Sequence, residues 1–196
     1  GLDAPAATVR IGSGSSQAVL QVGSSAGEGA VYAKDAARNE VFTIEASLLD
    51  DLRKDAGEYR QKDLFDARAF NTTRLEVARG GETHAFEKAA GKTPDGKEET
   101  KWRRVAPAAG DVDGAKVESL LSALTGARAT SFVDSLPAAA KPEAAFSIRF
   151  DEGRSEERVT FHRSGDDAYA VRDGASPARI EAAVLADVLK ALDALK

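Results

Sequence analysis

The chain has no cysteine and no methionine, and its 196 residues include one tryptophan and two histidines. Without cysteine there are no disulfides, thiolate metal sites or thiol nucleophiles. The redox compartment stays open, because extracytoplasmic and cytoplasmic proteins alike can do without disulfides. Also missing is any run of about 18 apolar residues, the length a spanning helix needs. The opening GLDAPAATVR has no basic start followed by an apolar stretch, so no signal peptide is read there. With Gly first and no Met anywhere, the chain reads as a fragment or processed form of a longer parent that carries the targeting signals.

Positive charge is in short supply. Lys and Arg number 27 against 32 Asp and Glu, a net charge of −5, which argues against a nucleic-acid partner. Both signs are mixed along the chain, so neither a basic arm nor an acidic tail stands out. Apolar residues at 42% and charged residues at 30% are what a folded domain with a core of its own requires.

Alternation dominates the pattern that is present. ATVRIG (7–12) and QAVLQVG (17–23) read as a hairpin, and AVYAKD with EVFTIE as a second one across AARN. ASLLDDLRKDAG then places Leu48, Leu49 and Leu52 on one helical face, with Ser47 as N-cap and Gly57 as stop. A second stretch repeats the plan. TRLEVARGGETHAFEKA (73–89) is a hairpin around Gly80-Gly81, and KWRRVAP (101–107) is a third strand reached through the polar loop GKTPDGKEET. DGAKVESLLSALTGARA follows as a helix capped by Asp113, ended by Gly126, with Val117, Leu120, Leu121 and Leu124 inward; TSFVD is a short strand after it. The last stretch runs from FSIRF through DAYAVRD to a closing helix carrying Val184, Leu185, Val188, Leu189 and Leu192.

TVRI, TRLEV and SIRF each open a hairpin, an aromatic (Tyr32, Trp102, Tyr169) marks each later strand, and Pro5 and Pro142 stand upstream of the first strands. Meanders with one apolar face need a covering layer, which the helices supply. The expected fold is therefore α+β: repeated antiparallel meander-plus-helix modules with helices on one face of twisted sheets. The expected modules are 1–66, which opens within a repeat, 67–137 and 138–196.

Residues with chemical potential are few. His84 and His162 lie on expected strands, where partly buried histidines are commoner than metal ligands. GDVDGAKVE (110–118) contains Asp-x-Asp-Gly, but Val112, Ala115 and Val117 stand where a calcium loop needs oxygen ligands, and capping by Asp113 accounts for it. IGSGSS (11–16) lacks the spacing of a phosphate loop and reads as a turn. Asp50-Asp51 and Asp166-Asp167 read as solvated pairs. KWRR (101–104) is an aromatic-basic cluster that could stack on a nucleic-acid strand, but alternation sends Trp102 and Arg104 to one face and Arg103 to the other, and Trp102 reads as core of a repeat, with Tyr32 and Tyr169 in the equivalent slots. No catalytic, cofactor-binding or metal-binding residue is assigned, and no cofactor is expected.

The order and spacing of GLDAP, VYAKD, VFTIEASLLDDL, YRQKDLFD, TTRLEV, the KW strand and VESLLSALTGARATSFV resemble the bacterial domain-of-unknown-function 4340 family along essentially the whole chain. That resemblance implies an extracytoplasmic protein anchored through an N-terminal segment of its parent and associated with ABC-type transport or gliding components. It implies no catalytic residues. The expected function is a non-enzymatic binding or assembly module with a protein partner. An envelope hydrolase and a small-molecule or lipid carrier are the alternatives.

Overall fold

Near-alternation in residues 7–45 gives four antiparallel strands in sequential order: β1 (Ala7–Ser13), β2 (Ser16–Gly27), β3 (Ala30–Asp35) and β4 (Val41–Glu45). Two short helices follow, α1 (Ser47–Leu52) and α2 (Ala56–Tyr59). The computed structural model describes residues 1–92, 95 and 98–195, and these four strands and two helices make up a first unit, Gly1–Arg60. Its core is small. Val22, Val31 and Leu49 are buried together, with Ala7, Leu20, Ile44 and Ala46 packed around them.

Several local expectations fail in this unit. Ala46 holds the N-cap position, while the Ser47 hydroxyl turns back to Glu45 at 3.4 Å. The helix stops at Leu52, before Gly57, which lies inside α2. Of the leucine trio only Leu49 is buried; Leu48 and Leu52 are each 37% exposed, because a six-residue helix covers too little of the sheet to bury a full stripe. Tyr32 is exposed as well, since Val31 and Ala33 take the covered side of β3 and period-two geometry sends Tyr32 to the other.

The second unit, Gln61–Lys196, is built on one nine-stranded sheet. Its strands are β5 (Thr72–Arg79), β6 (Glu82–Lys92), β7 (Glu98–Ala106), β8 (Gly110–Asp111), β9 (Ala129–Phe132), β10 (Lys141–Phe150), β11 (Ser155–Ser164), β12 (Asp167–Arg172) and β13 (Ala178–Ile180). They lie in the order β8-β7-β6-β5-β10-β11-β12-β13-β9, every neighbour antiparallel. The fold is thus α+β with antiparallel sheets. Stretches 67–137 and 138–196 meet in this one sheet because their first strands, β5 and β10, pair with each other. The β5–β6 turn is Gly80-Gly81, whose φ values of 60° and 85° suit residues without a Cβ. Four residues of the expected loop at 91–100, namely 93, 94, 96 and 97, lie outside the described residues; β6 and β7 take up much of the rest.

Two twelve-residue helices, α3 (Gly114–Thr125) and α4 (Ala182–Asp193), pack on each other and cover one face of this sheet. Asp113 caps α3 by accepting from the Ala115 amide at 3.0 Å, and Gly126 closes it, as the sequence indicates. Val117, Leu120, Leu121 and Leu124 meet Leu185, Val188 and Leu192 over Leu75, Val77, Phe86, Trp102, Phe146, Ile148, Val159 and Phe161. Phe146 and Phe161 sit edge to face, centroids 5.6 Å apart. Full burial of such a side chain stabilises by about 1.5–3 kcal/mol.

The opposite face carries charge. Glu87, Arg74, Arg149 and Glu156 stand in one cross-strand row, so two guanidinium groups lie opposite each other with a carboxylate at either end. Arg74 also holds Glu76 at 2.5 Å, and Arg149 holds Glu156 at 2.9 Å. Tyr169 is buried on this side, while Ala168 and Ala170 face the helices, so Tyr32, Trp102 and Tyr169 do not share one kind of position. Pro142 lies within β10, at a bulge, instead of upstream of the strand.

Candidate functional site

The first unit leaves a long strand unpaired on one side. β1 is the margin of its sheet and pairs only with β2 among the described residues. Ala7, Val9 and Ile11 alternate onto the face that carries Leu20 and Val22, and Thr8 and Arg10 onto the other. Burial fades along that face away from Leu49, leaving Ile11 68% exposed at the β1 margin. Across the sheet, Phe42 on β4 is 43% exposed at the other margin. Arg10 stands opposite Val19 and has no ion pair among the described residues. The second unit's sheet ends in strands of two and four residues, β8 and β9, and β8 pairs only with Arg103 and Arg104 of β7. Short margins offer little ladder to another chain; a seven-residue one offers a template.

The two histidines occupy opposite faces of the nine-stranded sheet. His84, opposite Val77, faces the helices, and its Nε2 lies 3.5 Å from Glu82 Oε2. It stands on the rim of a 240 Å³ cavity with Val77, Phe86, Leu192 and Leu195 as its apolar lining and the Arg79–Asp193 ion pair (2.9 Å) beside it. His162 faces the other way, opposite Tyr169, with Nδ1 3.2 Å from the Thr160 carbonyl oxygen. The described residues include no group of three His, Asp or Glu placed to hold a metal. Gly14 and Ser15 form the β1–β2 turn within IGSGSS. Asp50 and Asp51 are exposed, Asp51 holding Lys54 at 2.6 Å, and Asp167 pairs with Arg179 while Asp166 is exposed. Trp102 is 5% exposed in the core.

One cluster has no counterpart in the sequence reading. Glu157 on β11 is 7% exposed and faces the helices. Its carboxylate accepts the backbone amides of Asp66 (2.9 Å) and Ala67 (3.4 Å) and one Nη of Arg172 (3.2 Å). Arg172 also donates to Asp66 at 2.7 Å. Burial pushes the Glu157 carboxyl above the usual glutamate range, against the pull of the amides and of Arg172. The Arg172 hydrogen bond holds Asp66 below the usual aspartate range. The cluster ties residues 61–68 to the sheet, helped by backbone bonds from Leu64 to Ala127 (3.2 Å) and from Ala129 to Lys62 (2.7 Å). A signal was present: Glu157 has the parity of Val159 and Phe161, so alternation turns it inward.

A family model described as a domain of unknown function, DUF4340, matches residues 1–147, three quarters of the chain. The chain belongs to that family. The matched segment takes in the whole first unit and the second up to Ser147 in β10. No curated protein and no solved structure matches the chain.

Proposed function

We propose that this DUF4340 member is a non-enzymatic extracytoplasmic binding or assembly module, an accessory of an ABC-type transport system, that takes up a partner's strand along β1. One observation carries the reading. Four strands followed by a helix occur three times (β1–β4 with α1, β5–β8 with α3, β10–β13 with α4), and the first strands of the latter two complete each other as the β5–β10 pair. β1, the first strand of the remaining set, has no such mate among the described residues. Strand addition satisfies the outer main-chain groups of a margin, and alternate side chains set specificity. The fitting partner is a protein strand with apolar residues beside Val9 and Ile11 and a carboxylate facing Arg10. The envelope location, the parent's anchor and the transporter connection rest on the family resemblance.

Capture of the full-length anchored parent from its own cells tests this. Transporter subunits should be recovered with the unaltered protein and lost with Ile11→Lys and with Arg10→Glu, both surface changes that leave the unfolding midpoint in place. Undiminished recovery by both variants would remove β1 from the account. A second reading, acid–base hydrolysis, has the His84–Glu82 approach in its favour. The cavity beside it is smaller than the roughly 300–1,000 Å³ usual for ligand pockets, and its lining contains no serine or threonine. Turnover of an envelope-derived ester or glycoside that disappears in His84→Ala would establish that reading instead.

A further inference from the structure

The β1–β2 and β5–β6 hairpins both have two-residue turns and align by them: Ser13 pairs with Ser16, and Arg79 with Glu82. The alignment sets Val9 against Leu75, Arg10 against Glu76, Ile11 against Val77, Ala18 against His84 and Leu20 against Phe86. Cover separates the two hairpins. Val77 and Phe86 are 0% and 2% exposed, whereas Ile11 is 68% exposed, Ala18 is exposed and Leu20 is half-buried. What lies over Val77 and Phe86 comes from the other run of strands. Leu192 of α4, which follows β10–β13, walls a cavity with both of them, and Asp193 of α4 holds Arg79 at 2.9 Å. The mate that completes β5 therefore brings a strand, β10, and a covering helix, α4. Among the described residues β1 has received neither.

The β5–β10 register describes the missing strand. Leu75 and Val77 face Ile148 and Phe146, and Glu76 faces Ser147 between them. Carried to β1, this places apolar residues opposite Val9 and Ile11, and opposite Arg10 a position that a carboxylate suits. A second copy offering its own β1 in this register would set Arg10 against Arg10, and like charges directly opposite destabilise a sheet. We infer that β1 is completed by a strand-and-helix module of another protein. Its first strand runs antiparallel to β1, with an acidic residue opposite Arg10 and apolar residues on either side. Its closing helix lies over Ile11, Ala18 and Leu20, with apolar residues spaced as Leu185, Val188 and Leu192 are in α4. The strand half rests on the strand-addition reading; the helix half goes beyond it.

Photo-cross-linking separates the two halves. Thr8 lies on β1 beside the added strand and on the face away from Ile11; Ala18 lies one strand further in, on the face the helix would cover. Both are exposed, so each site should accept p-benzoylphenylalanine without loss of the fold. The full-length anchored parent carrying the label at one site or the other is irradiated in its own cells, and the adducts are mapped by mass spectrometry. The adduct from position 8 should fall in an extended segment with an acidic residue between apolar ones. The adduct from position 18 should fall in the same protein, in a later segment with apolar residues three and four apart. Both should be lost in Arg10→Glu. Adducts from both positions on one extended segment would overturn the helix and leave strand addition standing. An adduct from position 18 alone would overturn the strand, and none from either position would overturn both. Adducts confined to copies of the parent itself would overturn the choice of partner.

Discussion

Ala7–Ser13 and Thr72–Arg79 are both the first strand of a four-strand-and-helix run, yet one is the margin of its sheet and the other lies in the middle of its sheet. The difference in cover is as large. α3 and α4, twelve residues each, bury seven leucine and valine side chains between them, whereas six-residue α1 buries Leu49 alone. Charge follows the same division. Arg74 and Arg149 face each other inside the larger sheet because Glu76, Glu87 and Glu156 neutralise them, and Arg10 at the smaller sheet's margin has no carboxylate partner among the described residues. Similar strand grammar thus yields a large helix-covered core with a central first strand in one unit and a thinly covered sheet with an open first strand in the other. What separates them is the length of the covering helix and whether the first strand finds a mate.

The largest effect should come from the larger core. Trp102→Ala removes a buried indole that touches the start of α3 and should cost about 3–5 kcal/mol in chemical denaturation followed by circular dichroism. An unfolding midpoint unchanged by this substitution would mean that the indole contributes little to packing. In the smaller core, Leu49→Ala should cost about 2 kcal/mol, the low end of the range, because three buried residues can collapse around the gap more easily than a large cluster. Its damage should stay in residues 1–60. Unfolding followed by the fluorescence of Trp102, which lies in the second unit, should keep its midpoint while amide exchange in β2 and β3 speeds up. A drop in the fluorescence midpoint would show that the two units share one transition.

Much of this contrast was legible in the sequence. Alternation located the hairpins, and the spacing of Leu120, Leu121 and Leu124 located α3, because period two and period 3.6 follow from backbone geometry alone. Asp113 and Gly126 were readable for the same reason: caps are local. The β5–β10 pairing was not legible, since nothing within either strand names its neighbour across 70 residues of chain. Leu48 and Leu52 misled because helical spacing states which side a residue faces and says nothing of how much sheet lies beneath it. Tyr32 misled because likeness to Trp102 in sequence order was given more weight than the parity set by Val31 and Ala33. Of the candidate surfaces, Ile11 was visible only as one member of an alternating strand; its exposure depends on where the sheet ends.

The smallest effect concerns pH and the staple between residues 61–68 and the larger sheet. Burial raises the Glu157 carboxyl above its ordinary value, so between the ordinary and the raised value the folded chain holds a proton that the unfolded chain has released. Stability therefore falls as pH rises through that window, which starts near the ordinary glutamate value of about 4.3, and is indifferent to Glu157 below it. Asp66 acts in the opposite sense: Arg172 lowers it, so its contribution is complete above the ordinary aspartate value of about 3.9 and is lost as pH falls through the lowered one. Acidification from neutral pH should thus first raise the unfolding free energy, by about 1 kcal/mol or less, and then lower it. Glu157→Gln keeps an acceptor for the Asp66 and Ala67 amides but cannot titrate, so the rise should vanish while the later fall remains. Urea midpoints measured across the acid range for both proteins separate the two windows. If the Gln variant still gains stability on mild acidification, the gain comes from carboxylates elsewhere, and the staple holds its charge throughout.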